Sequence, residues 1–365
     1  MVKSRSVVSI AIVLILVAWL GYYGYSHRGD FAELTLVSPW LIVVLALISL
    51  VSYFAIAILN NVLLRALKVI MPLGESFMLS IVTGFYNLIT PFRGGMAVRA
   101  VYLKKKYDFA YVNFLASLSA VYVLTFLVGS LLGIISTLLI YFQTGIFSWV
   151  LFGIFDAVFL AMLIIIFVSP QFKERKNKWL NRFIKVINGW HLIKKNGRVI
   201  LVTSFVTLIQ ILLSSLMMWL QFRVFGLDVS FTAAVFLSAI GSLSILIGLT
   251  PGNLGVQEAI VVFSAATIGI SATDSLSAAL LGRAVSLVVL FVLGPIFSYV
   301  LLKRNGKNKD GKGKKGKLSN QPPQTEEERG RKSRVSRGVS GRIKKEDGRR
   351  ERENEKRGNS EERKG

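Results

Sequence analysis

The chain has no cysteine and only two histidines, His27 and His191. The first absence excludes disulfides, thiolate nucleophiles, cysteine zinc sites and palmitoyl anchors, and leaves the redox compartment open. Neither histidine lies near a cluster of His, Asp or Glu, so no metal site is expected, and nothing points to a cofactor. Also missing are a close carboxylate pair, an Asp-x-Asp metal motif, a nucleophile–base pair and a nucleotide-binding glycine loop. Without them the chain offers little to an enzyme mechanism.

Long apolar runs, by contrast, recur up to about Lys303. The clearest are Val7–Tyr25, Pro39–Leu59, Val112–Ile140, Trp149–Val168, Val199–Phe225 and Leu276–Leu302. Each is long enough to cross a hydrocarbon core that takes roughly 20 residues of helix. They are continuously apolar and lack the period-two alternation of a membrane barrel strand, so helices are the expected spanning form. Lys3 and Arg5 ahead of the first run resemble the start of a secretory signal, but no small-residue cleavage site follows. Tyr22, Tyr23 and Tyr25 read as an aromatic belt on a retained helix.

Basic residues set the expected orientation, because Lys and Arg are enriched in cytoplasmic loops. With the N-terminus inside, Arg65 and Lys68, then Lys104–Lys106, then the basic loop 173–198 all return to the inner side. This parity makes Glu75–Leu103 enter and leave on the inner side, as a re-entrant hairpin. Phe231–Gly269 must then enter and leave on the outer side, as a re-entrant pair or as two short spans. Both C- and N-termini are expected in the cytoplasm of a multi-pass cell-membrane protein.

Each of these two segments contains a helix break. The first reads Thr90-Pro91-Phe92-Arg93-Gly94-Gly95 with Arg99 behind it; the second reads Thr250-Pro251-Gly252-Asn253-Leu254-Gly255 with Glu258 behind it. Proline and glycine free backbone groups that a bilayer cannot satisfy, so such a break requires surrounding protein or an aqueous cavity. The order span, inner hairpin, span is followed by span, outer hairpin, span. The expected fold is therefore all-α: a polytopic helical membrane protein with about six full spans and two oppositely inserted broken or re-entrant hairpins, a pseudo-inverted repeat. Such repeats place a substrate site where the broken half-helices meet.

Charge within the bilayer marks candidate residues. Arg93, Arg99, Glu258 and Arg283 would each cost about 2.5–3.5 kcal/mol at a helix centre even on the gentler insertion scale, so they are expected to be paired, hydrated or in contact with ligand. A meeting of the hairpins would neutralise Glu258 against one arginine, with Arg99 and Glu258 expected close together, and leave the others to receive an anion. The planar guanidinium suits phosphate because it donates two parallel hydrogen bonds. Helices restarting after Gly94-Gly95 and after Gly252–Gly255 would add backbone N–H donors, with Pro91 and Pro251 as the breaks. The competing reading has the prolines merely kinking helices, the glycines easing packing and the arginines snorkelling to headgroups. Asn87 and Asn253 flank the breaks and are placed to bond either backbone or ligand. Asp156 and Gln210 are isolated polar groups in the fourth and fifth spans.

Outside the spans, residues 178–193 put Leu180, Phe183, Ile184, Ile187 and Trp190 on one helical face, as in a helix lying on an anionic inner leaflet. The tail 303–365, set apart from a transmembrane domain at 1–302, holds 23 Lys/Arg and 11 Asp/Glu, a net +12 that is half of the chain's +24. Few large apolar residues occur there, and a disordered cytoplasmic tail is expected. Half of the positive charge thus lies outside the spans, and without aromatic stacking residues nucleic acid is not an expected partner. The oligomeric state is left open.

At the two breaks the chain resembles the flippase-like membrane family that includes the transmembrane region of lysylphosphatidylglycerol synthetase, also called multiple peptide resistance factor. The matching residues are Asn87-Leu88-Ile89-Thr90-Pro91 with Arg93, Gly94 and Arg99, then Thr250-Pro251-Gly252-Asn253-Leu254-Gly255-Val256-Gln257-Glu258-Ala259, then Gly282-Arg283. The likeness covers roughly residues 1–302. It implies translocation of a lipid between leaflets, with lipid contacts around the re-entrant motifs. Many members read proline, glycine, arginine at the first motif, whereas here Phe92 follows Pro91; Met96 stands where an acidic residue is common. The soluble aminoacyl-transferase domain of the synthetase has no counterpart after Lys303, so synthesis of lysylated lipid is not implied. The expected activity is flipping of an anionic phospholipid or a polyprenyl-phosphate-linked lipid. An intramembrane transferase acting on a lipid-linked sugar, and a non-transporting scaffold whose tail binds an anionic partner, are the alternatives.

Overall fold

The computed structural model describes residues 36–168, 184, 196–244 and 250–319, with side chains described up to Lys303. The expected first span Val7–Tyr25, the surface helix 178–193 apart from Ile184, both histidines and the chain beyond Ser319 lie outside the described residues. Every described element is a helix or a turn, so the all-α expectation holds. In chain order these are α1 (Leu41–Ala66), α2 (Leu73–Ile89), a 3-10 turn (Pro91–Arg93), α3 (Gly94–Tyr107), α4 (Tyr111–Thr144), α5 (Trp149–Phe167) and α6 (Gly197–Val224). Then come α7 (Phe231–Leu243), a second 3-10 turn (Pro251–Asn253), α8 (Val256–Ala266) and α9 (Ala272–Ser319).

Among the described residues, five helices are long and apolar enough to cross a membrane: α1, α4, α5, α6 and the stretch Ala272–Lys303 of α9. Of the about six spans expected, Val7–Tyr25 lies outside the described residues. The observed α1 continues well past the expected end at Leu59. Its last turns carry bonded polar groups: Asn61 Nδ2 donates to the Met71 carbonyl at 2.8 Å, and the exposed Arg65 donates through Nε to Asn61 Oδ1 at 3.0 Å. Some buried hydroxyls within the spans are satisfied by their own helix: Ser119, Thr137, Thr207 and Ser215 each donate to the carbonyl four residues earlier, whereas the Ser52, Thr203 and Ser298 hydroxyls are buried without a partner among the described residues.

The remaining helices are shorter. With 17, 14, 13 and 11 residues, α2, α3, α7 and α8 extend about 26, 21, 20 and 17 Å at 1.5 Å per residue. None reaches the roughly 30 Å of a hydrocarbon core. α2 packs on α3 across the first turn, α7 packs on α8, and the two turns touch each other. The long helices preceding the two pairs, α1 and α6, also pack together.

Among the described residues four apolar clusters hold this arrangement, two of them around the helix pairs. One surrounds the first helix pair and joins Leu64, Leu79, Leu103, Phe109, Phe114 and Leu301. The other surrounds the second, joining Phe126, Phe155, Phe222, Phe236 and Leu237. Aromatic contacts bind α9 to α2, through Phe85 with Phe291 and Phe77 with Phe297.

Candidate functional site

Both breaks follow one local rule. Thr90 and Thr250 are extended, at φ −122° and −97°, and each is followed by proline. The next two residues are left-handed in both: Phe92 and Arg93 at φ 54° and 56°, Gly252 and Asn253 at φ 58° and 59°. Glycine and asparagine occupy this region readily, while other residues cost about 1–2 kcal/mol each. The first turn therefore carries two strained side chains where the second carries none.

The helix restarts also differ. α3 begins directly at Gly94, and no side chain caps it. A β-carbon at Gly95 would overlap the Thr83 carbonyl, so glycine there lets the restarted helix lie against α2. α8 begins two residues further on, after Leu254 and Gly255, and is capped by its own carboxylate: Gly255 N–H donates to Glu258 Oε2 at 2.7 Å. That N–H, expected to face an anion, is spent within the turn.

Glu258's other oxygen is bound as well. Arg283 reaches across from α9, donating through Nε to Glu258 Oε1 at 2.8 Å, with Nη2 at 2.6 Å from the same oxygen. Its Nη1 donates to the Gly252 carbonyl at 2.6 Å. Both side chains are almost wholly enclosed, at 12% and 4% exposure. A buried pair of this kind holds only because its remaining bonds are met. The arginine that neutralises Glu258 is thus Arg283, and the expected pairing with Arg99 is corrected. The carboxylate's oxygens are taken from the α9 side and from its own helix end.

Arg99 is in a different state. It is buried at 8% exposure, its guanidinium lies 5.9 Å from the centre of the Phe114 ring, and among the described residues it forms no ion pair or hydrogen bond. Arg93 is half-buried and equally without a partner among the described residues.

All six charged and amide candidates nevertheless line one cavity of about 610 Å³: Asn87, Arg93, Arg99, Asn253, Glu258 and Arg283. Gly252 and Gln210 border it; Gly94, Gly95, Pro251 and Gly255 do not, and neither does Asp156. Its volume is that of a small-molecule site, within the usual 300–1,000 Å³. Several wall residues carried no signal in sequence. Gln221, Tyr53 and Ser286 sit singly in apolar helices and gain meaning only when α1, α6 and α9 converge on the breaks. A second polar cluster was also missed: Glu75, opening α2, accepts from Lys106 Nζ at 2.7 Å, Tyr107 Oη at 2.7 Å and Tyr102 Oη at 2.9 Å. It ties the free end of α2 to the free end of α3. No group of three metal-ligating side chains occurs among the described residues.

Fold and site together define a multi-span helical membrane protein with a cationic polar cavity between two broken helix pairs. The chain belongs to the family described as lysylphosphatidylglycerol synthase TM region, whose model matches residues 6–294. This membership ties it to a membrane lipid-related function. Comparison with curated proteins and with solved structures gave no match.

Proposed function

We propose that this protein moves an anionic lipid between leaflets, with the lipid phosphate received by Arg99 and assisted by Arg93. The observation that carries this reading is a buried guanidinium with no counter-charge among the described residues, in a cavity whose described carboxylate, Glu258, is already bound. A charged side chain at membrane depth is retained when it is paired or has a ligand, and Arg99 has no pair among the described residues. Phosphate is the anion that a membrane supplies in quantity, and the guanidinium fork matches it.

Several features support a transporter architecture. The four short helices suit two hairpins that enter the bilayer and return, and the basic residues Arg65, Lys68 and Lys104–Lys106 support a cytoplasmic entry for the first, on the same side as both termini. The packing is reciprocal. α1 pairs with α6 and turn pairs with turn, while α4 packs on α7 as α9 meets α2. That pattern suits an inverted repeat, in which rocking of one half against the other opens the cavity to each leaflet in turn.

The test is reconstitution in vesicles with a headgroup-labelled anionic lipid and, separately, a choline-headed one. Faster transfer of the anionic lipid by the wild-type chain, lost in Arg99→Ala, is expected. Transfer that is unchanged in Arg99→Ala would overturn the role given to this residue, and no transfer of either lipid would overturn the transport reading.

A further inference from the structure

The ion pair of Glu75 with Lys106 is enclosed although it lies at the ends of its helices, with the two side chains 5% and 13% exposed. Enclosing such a pair costs about as much as the attraction returns, so apolar residues of similar size would join these helix ends at least as firmly. What apolar contact lacks is direction. Between α2 and α3 the packing is of that kind: Met78, Leu79 and Val82 share one apolar cluster with Met96, Ala100 and Leu103. A small turn or slide of α3 would leave such contacts largely intact.

Glu75 supplies the direction. Its Oε1 accepts from Tyr102 Oη and Tyr107 Oη, and its Oε2 from Lys106 Nζ. Lys106 Nζ also donates to Tyr102 Oη at 3.3 Å and lies 5.6 Å from the centres of both tyrosine rings. Three donors from the last turns of α3 thus meet one carboxylate of α2, and they fit it at one rotation and one height of the helix. Arg99 rides on the same element. Residues 99, 102 and 106 are spaced three and four apart, on one face of α3, and Arg99 stands about 10 Å along the axis from Lys106 at 1.5 Å per residue. Among the described residues its guanidinium has only the Phe114 ring beside it and no bond of its own to hold it. Fixing register is the best-attested use of a buried ion pair. Building on the proposed phosphate role of Arg99, we infer that Glu75 is a positioning residue, which through Tyr102, Lys106 and Tyr107 sets the register of α3 on α2 and so places the Arg99 guanidinium in the cavity.

The test replaces the cluster by apolar residues of similar size in the full chain: Glu75→Met, Tyr102→Phe, Lys106→Met and Tyr107→Phe together. Because the chain has no cysteine, spin labels go cleanly onto Ala97→Cys in α3 and Val288→Cys in α9, both exposed. The fourfold variant is expected to melt in detergent no lower than wild type. The distance between the labels should nevertheless shift or broaden. Dihexanoyl phosphatidylglycerol, titrated by calorimetry into the unlabelled chain, should bind about tenfold more weakly, the middle of the range for coupled neighbours. With Arg99→Gln present in both forms, the same replacement should cost less than about twofold. If the fourfold variant does not fold, Tyr102→Phe/Tyr107→Phe, which keeps the ion pair and removes two of the three bonds, is expected to shift distance and binding in the same direction by less. An unchanged label distance, unchanged binding, or an equal loss with and without Arg99 overturns the inference and leaves Arg99 as phosphate receptor intact. Failure of the wild-type chain to bind the anionic lipid overturns both.

Discussion

The two breaks share a backbone trace and divide the chemistry. In the second, Gly252 and Asn253 fit the left-handed turn, Glu258 caps its helix, and Arg283 bonds both Glu258 and the Gly252 carbonyl. In the first, Phe92 and Arg93 are held where most side chains resist, the restarted helix has no side-chain cap, and Arg99 is buried against the Phe114 ring with no ion pair or hydrogen bond among the described residues. On the proposed reading, the satisfied break is a scaffold and the unsatisfied break binds the ligand. The buried charge would then divide into a paired part that holds shape and an unpaired part that recognises.

The contrast can be broken most severely at Glu258. Glu258→Ala strips the cap and leaves the Arg283 charge buried alone, and a loss of about 3–5 kcal/mol is expected, as for other broken buried pairs. A thermal melt in detergent checks it, with Glu258→Ala/Arg283→Leu recovering part of the loss. A melt of the single variant matching wild type would show that the pair is not a scaffold. Gly252→Ala comes next. It places a β-carbon against Leu88 in a left-handed residue, and a loss of about 1–3 kcal/mol is expected by the same melt.

The first break should respond in the opposite direction. Phe92→Gly relieves a left-handed phenylalanine that is 49% exposed, and a gain of up to about 1 kcal/mol is expected after the added freedom of the unfolded chain is counted. A clear destabilisation would show that the Phe92 ring holds the turn. Smallest of all is the stability effect of Arg99→Ala. It loses a cation–π contact worth about 0.5–2 kcal/mol and sheds an unpaired buried charge, so the melting temperature should barely move.

Much of this fold was legible because a membrane imposes few choices. Long apolar runs became α1, α4, α5, α6 and α9, and the Thr-Pro signals marked both turns. Phe92 explains why glycine suits this position in the resembling family: φ there is 54°. Pairing was not legible. Arg283 lies 25 residues from Glu258, and nothing in linear order favours it over Arg99; only the approach of α9 to the second turn decides. The cavity wall was similarly hidden, since Gln221 and Tyr53 become neighbours of the breaks only through helix packing. Glu75 was visible as the start of the first hairpin, but its three donors, 27 to 32 residues away, were not.

The central claim is that Arg99 recognises while Glu258 and Arg283 support. It is tested most directly by measuring transfer rate and melting temperature on the same preparation of Arg99→Gln, which removes the charge and keeps a polar side chain of moderate length. The account predicts at least a tenfold loss of anionic-lipid transfer, the equivalent of about 1.4 kcal/mol of lost phosphate recognition, with an unchanged melt. Full transfer by the variant, or a loss that merely follows unfolding, would contradict it.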